Sequence, residues 1–233
     1  REEDLALAVM RRYKLKNLEL AVTKYMDWSN DMRVIKDRFE GYNIYSMQAL
    51  FFGVTCNLFD NPRVFINHFK RVIDVAVQLG VRVLVFGSPK VRYIPNGYTY
   101  QEAEHIFVFV MKTIVQYLPS SITLCLEPNA VQYGCNFMNT VEQVCHVLDL
   151  FDIRNIKLNL DTGNAIMSQD AYTFTDIIDR VGHVHISAPF LKDISDVSLA
   201  HEFSGYEGKI SLEAIDLDID AFERSIRRAL ALF

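Results

Sequence analysis

The chain has 233 residues, half of them apolar, and 24 basic against 29 acidic side chains give a formal net charge of −5. The length suits one large α/β domain, and the mild acidity argues against a nucleic-acid-binding protein, which needs clustered Lys and Arg for the phosphate backbone. The apolar runs fall short of the roughly 18 residues of a membrane span, no signal peptide is recognisable, and Cys56, Cys125, Cys135 and Cys145 include no C-x-x-C pair, so they read as reduced thiols of a cytoplasmic protein.

Taken in chain order, a helix is predicted over 2–12 and a strand over 17–22, followed by a helix over 31–39 and a strand over 44–53. Asn61 before Pro62 opens the next helix, because proline lacks the N–H that a first turn leaves unpaired, and Gly80 closes it. Val64, Phe65, Phe69, Val72, Ile73, Ala76 and Leu79 form its apolar stripe. A strand over 81–87 precedes a helix opened by Thr99 with Glu102, a capping-box pair, and a strand over 122–127 precedes one opened by Thr140 with Gln143. Strands over 156–161, 181–187 and 209–213 complete the series, with helices over 172–180 and 219–232.

Strand runs alternating with helical patterns specify a parallel sheet. Several of these runs are continuously apolar, as strands covered on both faces are. A closed (β/α)8 barrel has eight strands. Seven are predicted, so the expected fold is a TIM barrel lacking its first strand in this chain, with residues 1–233 as one domain. A doubly wound open sheet is the alternative; it sets strand ends in a row, whereas a barrel aims them at one axis.

Four successive strands end in metal-binding side chains: Glu127 after Leu124-Cys125-Leu126, Asp161 after Leu158-Asn159-Leu160, His185 within His183-Val184-His185, and Glu213 after Ile210-Ser211-Leu212. Their separations of 34, 24 and 28 residues are each about one βα repeat. They would therefore ring the C-terminal mouth, where active sites of this fold sit. Converging carboxylates repel, and a divalent cation resolves that repulsion. Three oxygens and one nitrogen suit Mn²⁺ first, with Mg²⁺, Co²⁺ and Zn²⁺ admitted. His183 shares a strand face with His185, but His185 is nearer the mouth.

The segments Leu126-Glu127-Pro128-Asn129, Leu160-Asp161-Thr162-Gly163-Asn164, Gly182-His183-Val184-His185-Ile186-Ser187 and Ser211-Leu212-Glu213 resemble the metal-binding motifs of the xylose isomerase-like TIM-barrel superfamily, most of all its sugar phosphate isomerase/epimerase branch. The resemblance implies a metal-dependent isomerase or epimerase of carbohydrate metabolism, working by proton transfer next to a metal-bound carbonyl. Glu127 and Glu213 would be the catalytic acid–base pair. It also implies two departures. Ketohexose epimerases carry a His where Asn164 stands and an Arg where Leu191 stands. The related endonuclease IV pattern needs further His and Asp ligands that the strand ends here do not supply.

Further substrate-binding candidates are Gln48, Ser88, Lys90, Arg92, Asn129, Asn164 and His201, with Lys90 and Arg92 placed to take a phosphate or carboxylate. Glu19 is a candidate to face the barrel interior near the site, with a structural ion pair as the alternative, and Tyr25 and Trp28 are candidates to wall the pocket. The expected partner is a small sugar or sugar phosphate, with a homo-oligomer admitted. The alternatives are a lyase or dehydratase acting on a keto-inositol-like substrate at the same metal site, and a non-catalytic ligand-binding barrel.

Overall fold

The structure, a computed structural model, describes residues 2–25, 32–151, 153–194, 203, 205–215 and 217–231. Helix α1 (Glu2–Arg12) leads into β1 (Asn17–Ala21), α2 (Met32–Arg38), β2 (Asn43–Gln48), α3 (Pro62–Leu79), β3 (Val83–Phe86), α4 (Tyr100–Val115), β4 (Thr123–Leu126) and α5 (Val141–Asp149). The chain continues through β5 (Ile156–Asp161), α6 (Thr162–Ser168), the single turn α7 (Phe174–Ile177), β6 (Val181–Ile186), β7 (Ile210–Leu212) and α8 (Ile219–Leu230). The seven strands among the described residues are all parallel and pair in strict sequence order. A doubly wound sheet would reverse that order at a switch point, so the open-sheet alternative is ruled out. The sheet rolls into a nearly closed barrel. Gln48 at the end of β2 bonds Glu213 just past β7 at 2.7 Å, and Glu19 on β1 meets His185 on β6 at 3.0 Å.

The predicted caps form as the local chemistry requires. Asn61 accepts from Val64 N ahead of Pro62, and Gly80 ends α3 at φ 73°, a left-handed turn open to glycine without cost. Thr99 and Glu102 make a reciprocal capping box at α4. Two expectations change. The strand expected over 44–53 stops at Gln48, because Ala49 turns to φ 53°. The helix expected over 172–180 is only the turn α7 followed by a 3-10 turn. Sequence patterning also passed over α6, which starts directly from the end of β5 with Asp161 as its N-cap.

The main core lies between the sheet and the helices. Leu84, Phe86, Leu124, Leu126, Leu158, Leu160, Val184 and Ile186 face it from the strands, against Phe65 and Phe69 of α3 and Phe107 of α4. Each such side chain contributes about 1.5–3 kcal/mol by leaving water. A smaller apolar group of Val83, Val85 and Cys125, with Tyr45 against it, fills the inside of the barrel. All four cysteines are free thiols.

The sheet has register shifts on two strands. Leu18 pairs Ile44 but Glu19 pairs Ser46, leaving Tyr45 as an extra residue on β2. Leu158 pairs Val181 but Asn159 pairs His183, leaving Gly182 extra on β6. Each insertion switches the in-out alternation of its strand. Ile44 and Met47, three apart, therefore share the outer core, as do Val181 and Val184. Beyond each switch, Gln48 on β2 and both His183 and His185 on β6 turn inward. Gly182 is the residue type that permits this close approach, since a Cβ there would lie 2.7 Å from Cys125 Sγ and 2.8 Å from Lys157 Cβ.

Candidate metal centre

Glu127 follows β4, Asp161 ends β5, His185 lies on β6 and Glu213 follows β7. One ligand atom from each comes within 4.8 Å of all the others. His185 Nδ1 faces the three acids, 3.1 Å from Glu213 Oε2, 3.3 Å from Glu127 Oε2 and 3.9 Å from Asp161 Oδ2. Glu127, Asp161 and His185 are buried and Glu213 half-buried.

Each acid is oriented by its own hydrogen bonds. Glu127 accepts from Asn129 Nδ2 at Oε1 and from Asn159 Nδ2 at Oε2, both at 2.8 Å. Asp161 accepts from the Asn164 backbone N–H at 2.6 Å and from Ser187 Oγ at 2.8 Å. Gln48 Nε2 donates to Glu213 Oε1. Glycine makes room at two points. A Cβ on Gly87 would come 2.7 Å from Glu127 Oε1, and one on Gly163 would come 2.4 Å from Ser187 Oγ and 2.7 Å from the Ala188 carbonyl.

The crowding of charge shows in the acidities. Burial, then the neighbouring Glu127 and Glu213 carboxylates, push Asp161 up to about 7. Burial opposes the charged form of His185, but Glu19, Glu213 and Glu127 outweigh it and hold its pKa well above the usual imidazole range. These are the marks of an acidic cage short of positive charge. A divalent cation fits it: the donors are three carboxylates and one imidazole, already oriented and close enough to share an ion. Its arrival would displace the proton from His185 Nδ1, because a ligating imidazole must be neutral.

The structure sorts the other sequence candidates. Gln48 joins the cluster through Glu213. Arg92 does not reach toward substrate, and that expectation is corrected. It is fully buried, donating to the carbonyls of Gly87, Phe137, Met138 and Glu127 and to Asn129 Oδ1. A buried guanidinium needs its donors satisfied, and the chain after β3 (Gly87) together with the loop after β4 supplies the acceptors. Asn129 is likewise engaged inside the protein, between Arg92 and Glu127, so Arg92, Asn129 and Glu127 form one chain of hydrogen bonds. Asn164 is buried and its Oδ1 accepts from Ala130 N, fastening the β4 loop to α6. Ser88 is half-buried with φ 48°, and Lys90 is exposed. Tyr25 bonds Glu3 of α1. His201 and Trp28 lie outside the described residues.

Asn159 and Ser187 were missed. A same-face signal existed for both: Asn159 precedes Asp161 by two and Ser187 follows His185 by two. His183, set aside as the farther imidazole, bonds Ser211 Oγ at 2.9 Å, and its Nδ1 is buried with no hydrogen-bond partner.

A family model described as xylose isomerase-like TIM barrel matches residues 7–230. The chain belongs to this family. No curated protein matches its sequence. Among solved structures, this xylose isomerase-like barrel is similar to D-psicose 3-epimerase with D-tagatose from Clostridium cellulolyticum H10, at 15% identity and a TM-score of 0.74, covering 99% of this chain and 92% of that one. It is similar to the IOLI protein with a binding zinc atom, at 15% identity and a TM-score of 0.72, with 98% and 92% covered. It is also similar to D-allulose 3-epimerase from Methylomonas sp. in complex with D-allulose, at 23% identity and a TM-score of 0.70, with 90% and 76% covered. At these identities the likeness is one of fold. No helix among the described residues is long and apolar enough to cross a membrane.

Proposed function

We propose that this xylose isomerase-like barrel is a divalent-metal-dependent isomerase or epimerase of a small sugar or sugar phosphate, with residues 1–233 as its one domain. The observation that carries the reading is the meeting of Glu127, Asp161, His185 and Glu213 within 4.8 Å inside the barrel mouth. Fold-mates that are sugar epimerases, and one described with bound zinc, support it.

Glu127, Asp161, His185 and Glu213 would hold a divalent cation, Mn²⁺ by preference, which would supply Lewis-acid polarisation of a substrate carbonyl and so acidify the adjacent C–H. Glu127 and Glu213, held on different strands, then serve as the acid–base pair: one removes the proton and the other returns one. Their roles need fixed carboxylates, and Asn129 and Asn159 fix both oxygens of Glu127 while Gln48 fixes one of Glu213. Asp161 and His185 stay as ligands. Asn164 and Leu191 stand where ketohexose epimerases clamp their sugar, so the substrate is assigned by class and not as a ketohexose.

Solvent-deuterium incorporation into a panel of sugars, with the Mn²⁺-loaded chain, tests the reading. Wild type exchanges one C–H, and Glu213→Gln lowers the rate by about 10²–10⁴-fold, the usual contribution of a general acid–base group. Exchange retained in that variant would refute the assignment.

A further inference from the structure

Glu19 lies outside the four-residue cage but touches one member of it. Its Oε1 is 3.0 Å from His185 Nε2, the ring nitrogen facing away from the cage, and its Oε2 is 3.3 Å from His183 Nε2. A neutral imidazole carries one proton on one of its two nitrogens. A carboxylate at Nε2 can only accept, so it holds the proton there and leaves the Nδ1 lone pair aimed at Glu213, Glu127 and Asp161. We propose that Glu19 is the positioning residue for the metal ligand His185. It fixes the tautomer and tilt of the ring and raises its donor strength, as carboxylate–histidine–metal triads do. The inference rests on the metal reading of the cage and adds a fifth residue from a strand that contributes no ligand.

The surroundings of Glu19 support a built arrangement. Its side chain is 9% exposed, and those of His183 and His185 are 1% and 0%. Each of its two oxygens faces an imidazole nitrogen, so it is placed to accept from both rings. His183 braces it, itself tied to Ser211 Oγ on β7. The register shift at Tyr45 lies beside Glu19, and the shift at Gly182 turns the two imidazoles inward to meet it. A structural ion pair would need only one imidazole, with no preference for which of its nitrogens faces the acid.

Two measurements on the full chain decide the matter. Calorimetric titration with Mn²⁺ compares wild type with Glu19→Gln and Glu19→Ala. Loss of such an outer partner weakens metal binding by about 10–100-fold, and the expected order of affinity is wild type, then Gln, then Ala. A merely structural acid would lower Tm and leave the affinity of the folded variant unchanged, which overturns the proposal. The second measurement is ¹⁵N-histidine NMR of the Zn²⁺-loaded wild type, which stands even where a variant fails to fold. It should show His185 protonated at Nε2 and metal-bound at Nδ1; metal on Nε2 overturns the proposal. A wild type that takes up no Mn²⁺ removes the cage reading together with this one. Tight wild-type binding with an unaffected Glu19→Gln removes this one alone.

Discussion

The two faces of the sheet have opposite chemistry on the same strands. Outward, Leu84, Phe86, Leu124, Leu126, Leu158, Leu160, Val184 and Ile186 are all apolar and buried against the helices. Inward, the strand ends present Glu127, Asn159, Asp161, His183 and His185 above a small apolar plug of Val83, Val85 and Cys125. Residues one apart in sequence thus do different work, because successive side chains on a strand point to opposite faces. The outward set supplies stability through area removed from water. The inward set gathers like charges and buried polar atoms, which disfavour folding until something neutralises them. Stability and site chemistry are therefore separable here, one residue at a time.

Four substitutions break or sharpen that separation, in falling order of effect. Phe86→Ala on the outward face should cost about 3–5 kcal/mol in urea unfolding, with Mn²⁺ affinity unchanged; a loss of affinity would mean the faces are coupled. Asp161→Asn on the inward face should weaken Mn²⁺ binding by at least about 100-fold, or ~2.7 kcal/mol. The metal-free variant should melt no lower than wild type, because a member of a crowded set of acids has become neutral. Gly163→Ala sits between the two faces. Its new Cβ must displace Ser187, which holds Asp161, so it should cost about 1–3 kcal/mol and weaken Mn²⁺ binding as well. Thr99→Ala, at the start of α4 and away from both, should cost about 1 kcal/mol as a lost N-cap and leave Mn²⁺ titration untouched.

What could be read from the amino acids follows from how local each signal is. The apolar strand runs, the Asn61, Thr99 and Thr140 caps and the terminal acids of successive strands are set within a few residues, and they placed the barrel and the four cage residues together. Helix α6 was hidden because its cap, Asp161, also reads as a strand end. Arg92 was misplaced because what buries it is a set of carbonyls from Glu127, Phe137 and Met138, brought together only by folding. Glu19 could be read as facing the barrel interior, but its contact with His185 joins positions far apart in sequence, and no local pattern names that partner. Asn159 carried a signal, its spacing from Asp161, that counting strand ends alone did not use.

The extra residues Tyr45 and Gly182 have a consequence for how this chain tolerates insertions and deletions. Parity along a strand works like a reading frame, and each of these residues is a frameshift upstream of functional side chains. Excising Gly182 would set His183 directly after Val181 and leave both imidazoles inward, whereas pairing Gly182 regularly with Asn159 would carry the alternation on unbroken, turn both imidazoles toward the helices and swing Val184 and Ile186 into the lumen. Every amino acid of the cage would survive in the composition, yet the donor set would be dismantled by straightening the chain at the one residue among them that has no side chain.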